Sequence, residues 1–209
     1  MQYNGGKNVR GVLYGMPKLT KEQITLAVKN GDFIKVTGSR RNLKTHEYYE
    51  HIADLLELDE VQALKEFRHH IMTTRYQHSL NVSYYNYRLC RMLGLDAASA
   101  ARAGLLHDLY FYETRHYTRR KPGIRHARYH PMVALEHAQE LLPLNEREQD
   151  MIEKHMWPVT LSRPRYAETY VITLVDKYCA VIEFLLPQPG RLVQWVVRRR
   201  DARKIRKYE

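Results

Sequence analysis

A histidine and an aspartate stand side by side in Ala103-Gly-Leu-Leu-His-Asp-Leu109, a run otherwise made of small and leucine side chains. Residues of that kind at helical spacing belong in the interior of a helical core. His107 and Asp108 are therefore strongly polar groups where a buried helix should present none. Leaving a carboxylate and an imidazole there without partners is costly. A metal ion offsets that cost, because it takes imidazole nitrogen and carboxylate oxygen as ligands. A buried His–Asp hydrogen-bonded pair offsets it too. Four further stretches repeat the theme: Arg75-x-x-His78, His130-Pro131, Lys154-His155-Met156 and Val175-Asp176-Lys177. Taken singly, His78 and His155 read as capping or core histidines, His130 as a residue of a helix start, and Asp176 as a salt-bridge partner of Lys177 or an arginine. Taken together, four histidines and two carboxylates projecting inward from several helices can hold two ions that share one bridging group.

Those side chains need helices to aim them, and from about Thr45 the apolar pattern is helical. Residues 51–58 are one such run, and Asp59 is a candidate cap for the next, over 61–67; Arg68-His69-His70 begins a link. The spacing predicts a helix over 76–93 stopped by Gly94. It predicts another, capped by Asp96, that runs into the His-Asp doublet. Pro131 is expected to start a helix that reaches Leu142. Asn145 caps a helix stopped by Trp157-Pro158, and a long apolar-striped helix over 166–186 ends at Pro187-Gln-Pro-Gly190. The expected fold class is all-α: a helical core over 46–187, an N-terminal arm over 1–45 and a basic C-terminal helical tail over 188–209. Within the arm, Thr20 and Gln23 suggest a capped helix leading into residues 24–28, and residues 32–36 a short extended piece.

Composition bounds the function. A chain of 209 residues with 44% hydrophobic and 27% charged residues can bury one good core. No apolar run is long enough to span a membrane, and the first residues lack a signal-peptide core, so a cytoplasmic location is expected. The two cysteines, Cys90 and Cys179, lie in apolar-periodic segments and read as buried thiols of a reducing compartment. A net charge of +11 points to an anionic partner: a phosphorylated metabolite, a nucleic acid or an acidic surface.

The order His78, His107-Asp108, His130, His155, Asp176 resembles the HD superfamily of metal-dependent phosphohydrolases, helical bundles named for their His-Asp doublet. The phrases Arg75-x-x-His78-Ser-Leu80, Leu105-Leu-His-Asp-Leu109 and Asp176-Lys177 carry the match, which covers roughly residues 68–186. His130-Pro131 and Lys154-His155-Met156 resemble the extra histidines of its two-metal members. The resemblance implies a first metal site formed by His78, His107, Asp108 and Asp176, with Asp108 bridging to a second ion held by His130 and His155. Mixed imidazole and carboxylate ligands suit Mn, Fe, Co, Ni or Zn better than Mg alone.

Two such ions can acidify a shared water and clamp a phosphate ester, so the expected reaction is hydrolysis by a metal-activated hydroxide. Positive groups should meet the phosphate oxygens. Lys177 and Arg75 are the nearest candidates beside the catalytic Asp108. Between the doublet and His130, Arg115, Arg119, Arg120, Arg125 and Arg128 alternate with Tyr110, Tyr112 and Tyr117. Arginines suit phosphates and tyrosines can stack on a base, which points to a nucleotide; a solvated basic loop fits the same residues. The tail, with Leu192, Trp195 and Val196 on one face and a run of arginines beyond, suits docking or contact with RNA or an anionic surface. Two other functions share these residues: a di-iron oxygenase of the same superfamily, and a catalytically idle module that binds a nucleotide or RNA.

Overall fold

Apolar residues recurring every three to four positions bury one stripe of each segment, and the segments coil accordingly. The computed structural model describes residues 34, 36–38, 42–69, 73–114 and 125–185. Two 3-10 turns (Leu43–Thr45 and Glu47–His51) precede seven α-helices among the described residues. These are α1 (Ala53–Leu56), α2 (Asp59–Ala63), α3 (Arg75–Met92), α4 (Ala97–Leu106), α5 (His126–Leu141), α6 (Glu146–Lys154) and α7 (Ala167–Leu185). No strand occurs among them; Arg68 and Thr74 form an isolated antiparallel bridge. The fold is all-α, and none of the described helices is long and apolar enough to cross a membrane.

Helix ends follow local chemistry. The Thr74 hydroxyl accepts from the Gln77 N–H at the start of α3, and Asp96 accepts from the Ser99 N–H at the start of α4. Asn145 and Glu148 form a reciprocal capping box on α6. Gly94, with φ +70°, turns the chain out of α3. Two boundaries differ from the sequence pattern. Asp59 is the first residue of α2 rather than its cap, a place where its charge still favours the helix dipole. Pro131 lies inside α5, which begins at His126. The added turn puts His126 and His130 one above the other, four residues apart.

The core is built on α3, which packs against α4 on one side and α7 on another. Gly104 sets the α3–α4 distance: a Cβ there would lie 2.6 Å from Ser83 Cα and 2.9 Å from Ser83 N. That close approach lets the Ser83 hydroxyl donate to Ala101 O (2.6 Å) and Asn86 Nδ2 donate to Ala100 O (2.9 Å). Val36 and Leu43 are buried in the same core, and the Thr37 N–H donates to Asn81 Oδ1 at 2.9 Å. The core thus begins upstream of residue 46, where the arm was expected to end. Cys90 and Cys179 are free and buried, and burial raises both thiols, Cys90 to about 12. The segment around Thr20 and the basic tail lie outside the described residues.

Candidate metal centre

Five segments converge on one buried point. His78 stands at the start of α3, His107 and Asp108 on the turn that ends α4, and His130 in the second turn of α5. His155 caps α6, and Asp176 lies midway along α7. All six side chains are buried or nearly so. Asp108 lies between two groups. Its Oδ2 is 3.8 Å from His107 Nε2, whereas its Oδ1 is 3.4 Å from His130 Nε2 and 3.9 Å from His155 Nε2. Asp176 Oδ1 lies 3.0 Å from His78 Nε2 and 3.8 Å from His107 Nε2.

Three of the imidazoles are locked in one tautomer. His107 Nδ1 lies 2.9 Å from Gly104 O, His130 Nδ1 2.9 Å from His126 O, and His155 Nδ1 2.8 Å from Ile152 O. A carbonyl only accepts, so each Nδ1 carries the proton, and the neutral form of each ring leaves its Nε2 lone pair facing the centre. This is how metal-binding histidines are usually held. His107 Nε2 and Asp108 Oδ1 are buried without a hydrogen-bond partner. His130 Nε2 and His155 Nε2 face each other at 2.9 Å. When both rings are neutral these are two lone pairs, which repel at that distance unless a cation lies between them. Nitrogens each about 2.1 Å from one ion and at right angles across it are about 3 Å apart, so the pair fits a shared ligand role. Three overlapping groups, His69–His78–Asp108, His78–His107–Asp176 and His107–Asp108–His155, each bring three ligand atoms within 4.8 Å of one another.

At His130 and His155 the electrostatics agree with that fit. Burial lowers His155 to about 3, and neighbouring His107 and His130 push it the same way; His130 is lowered by burial as well. Both rings are therefore neutral near pH 7, as ligands must be. Burial alone would raise Asp108 and Asp176. The surrounding imidazoles outweigh it and hold both carboxyls well below their usual range. His78 differs: burial opposes its charge, but Asp176 and Glu183 push it up to about 10.

Other expected residues are placed elsewhere. Arg75 was expected to meet phosphate, but it is fully buried, with Nη1 donating to Tyr110 O (2.5 Å) and Nη2 to Tyr112 O (3.1 Å). Its guanidinium stacks on the Tyr110 ring at 3.6 Å. Arg75 fastens the segment after the doublet to α3 and leaves no fork for substrate. Tyr110 and Tyr112, expected to stack on a base, are themselves buried. Lys177 is half-exposed at the edge of the centre, its Nζ 2.5 Å from Asp176 Oδ2. Arg125 and Arg128 are exposed and line a cleft of about 620 Å³ with Met132, Glu153, Val159 and Leu161. Arg128 lies two residues, about half a helical turn, from His130 and so turns away from the converging side chains. Arg115, Arg119, Arg120 and Tyr117 lie outside the described residues.

Two side chains at the centre escaped the sequence reading. His69 stacks on His78 (ring centroids 3.7 Å apart, planes at 16°), with Nδ1 3.6 Å from Asp108 Oδ2. Its only signal was the pair of histidines ahead of α3. Glu183 lies 3.1 Å from His78 Nδ1, seven residues after Asp176. That interval is almost two full turns, so the spacing already puts both acids on one face of α7.

The HD domain family profile matches residues 75–181, just over half of the chain, and spans all six converging side chains. Comparison with curated proteins and with solved structures gave no match. HD domains bind divalent metals and form a superfamily of metal-dependent phosphohydrolase type. The chain belongs to the HD domain family.

Proposed function

We propose that the protein is a two-metal phosphohydrolase that cleaves a phosphate ester, with a nucleotide or another phosphorylated metabolite as substrate. The observation that carries this reading is the 2.9 Å approach of His130 Nε2 and His155 Nε2, both with Nδ1 committed to a carbonyl. As neutral rings so fixed, neither has an Nε2 proton to offer the other, and a divalent cation supplies what both lack. In this reading His78, His107, Asp108 and Asp176 hold one ion, and Asp108, His130 and His155 the second. When bound, such a pair supplies an acidified water and neutralises charge on phosphate oxygens. Mn, Fe, Co, Ni and Zn all suit the donor set.

The chain's own groups then orient and neutralise. Asp108 presents one oxygen to each half of the centre, which fixes the spacing of the two halves. Lys177, half-exposed beside Asp176, is a cation placed to meet a substrate phosphate. Arg125, with Arg115, Arg119 and Arg120 of the same basic stretch, suits further phosphates or a larger part of a nucleotide. The high net charge supports an anionic substrate, and leaves nucleic acid open as a partner of the basic surface.

Elemental analysis of purified protein, with a screen of phosphorylated metabolites, tests this. The expected result is metal-dependent phosphate release that Asp108→Ala abolishes. Turnover that needs both iron and oxygen would replace it with the oxygenase reading. RNA binding that survives Asp108→Ala, with no phosphate release, would make the protein a binding module.

A further inference from the structure

Glu183 is a buried carboxylate that the proposed ligand set does not use. It is 3% exposed, near the end of α7, with its two oxygens 3.1 and 3.2 Å from His78 Nδ1. Its second partner is Asn81, one turn beyond His78 on α3, whose Nδ2 donates to Glu183 Oε1 at 2.6 Å. The Asn81 amide cannot be reversed. Its Oδ1 accepts from the Thr37 N–H (2.9 Å) and from Gln77 Nε2 (3.0 Å), so its NH₂ must face Glu183. A carboxylate held this firmly by α3 and by the segment at Thr37 has a fixed position relative to the His78 ring.

Of the four imidazoles proposed as ligands, His107, His130 and His155 lean on backbone carbonyls. His78 alone among them leans on a carboxylate. A full negative charge accepting from Nδ1–H fixes the tautomer and also makes Nε2 a stronger donor. We propose that Glu183 is a positioning residue for the first ion. It holds His78 as the Nδ1–H tautomer, strengthens the Nε2 bond to that ion, and so makes the first ion the more tightly held of the two. This rests on the metal-centre reading above and adds the origin of unequal affinity.

The test uses full-length protein, stripped of metal and titrated with Zn²⁺ against a chromophoric chelator, with elemental analysis at saturation. Glu183→Gln keeps an oxygen that accepts from His78 and keeps the volume, but removes the charge. Glu183→Ala removes both. The tighter dissociation constant should rise about 10- to 100-fold in Glu183→Gln and more in Glu183→Ala, with the weaker one unchanged and two ions still bound at saturation. A purely structural carboxylate would shift the melting temperature of the metal-free protein and leave both constants within twofold of wild type, which would overturn the proposal. Loss of the weaker ion instead of the tighter one would overturn it equally. If Glu183→Ala does not fold, Glu183→Gln decides alone. Wild-type protein that binds no ion would overturn the metal-centre reading and this inference with it. Two ions in wild type that ignore Glu183→Gln would overturn this inference only.

Discussion

Asp108 is the side chain on which both halves of the centre depend, because one oxygen faces His107 and the other faces His130 and His155. Asp108→Ala should therefore cost both ions, whereas His130→Ala should cost one and weaken the other slightly; metal-to-protein ratios measure the difference. A ratio that stays at two in His130→Ala would remove that residue from the ligand set. The imidazoles also predict how the metal-free protein responds to pH. His155, lowered to about 3, and His126, lowered to about 4 by burial and His130, bind protons more readily when unfolded. Their contribution is whole above the unfolded value of 6.5 and is lost as pH falls through the folded values. His78, raised to about 10, is the reverse: its contribution is whole below 6.5 and is lost as pH rises through 10. Melting temperature should thus peak near neutral pH and fall on both sides, and a melt that rises steadily toward pH 4 would contradict these placements. Arg75 separates structure from chemistry. Lysine cannot span the two carbonyls that the guanidinium fork reaches, so Arg75→Lys should lose about 2–3 kcal/mol in denaturant unfolding while the folded fraction keeps its metal.

At the scale of elements, Gly104 sets the frame. Gly104→Ala would press a methyl against the Ser83 backbone, which cannot swing aside as a side-chain tip would. Displacing α4 from α3 should cost about 1–3 kcal/mol, and it should weaken metal binding because His107 travels with α4 while His78 stays on α3. Unchanged affinity in a destabilised protein would show that the centre tolerates the shift. Much of this framework was legible in the sequence. Caps at Asp96 and Asn145, the stop at Gly94 and the six converging side chains are local or spacing signals, and a chain states those directly. What was not legible depends on partners far away. Arg75 looked available for phosphate because nothing in its own helix shows that the Tyr110 and Tyr112 carbonyls will fold back onto it. Arg128 looked like part of the site because it is close to His130 in sequence, yet the helix carries the two in different directions. Pro131 looked like a helix start, since proline's preference for a first turn is strong and the turn from His126 to His130 rests on contacts made with the rest of the bundle.

For the whole molecule, the centre is a junction rather than an ornament on a finished core. Its six side chains come from α3, the end of α4, α5, the end of α6 and α7, so the described bundle has one point common to all five segments. Without an ion, that point holds a repelling pair of nitrogens and two unpartnered buried atoms. Each is a cost carried by the folded state alone, because the unfolded chain solvates the same groups with water. An ion that binds the folded chain and not the unfolded one adds stability as RT ln(1 + [M]/Kd), about 2.7 kcal/mol at a hundredfold excess over Kd. In a domain of this size that corresponds to a rise of roughly 5–10 °C in melting temperature. Melts in buffered free Zn²⁺ or Mn²⁺ should therefore climb with the logarithm of ion concentration. The climb should be shallower in His130→Ala, where one ion remains, and absent in Asp108→Ala. A melting temperature that does not move with metal in the wild-type protein would mean that the five segments meet for packing alone, since no ligand can occupy a site made only by folding without stabilising the fold.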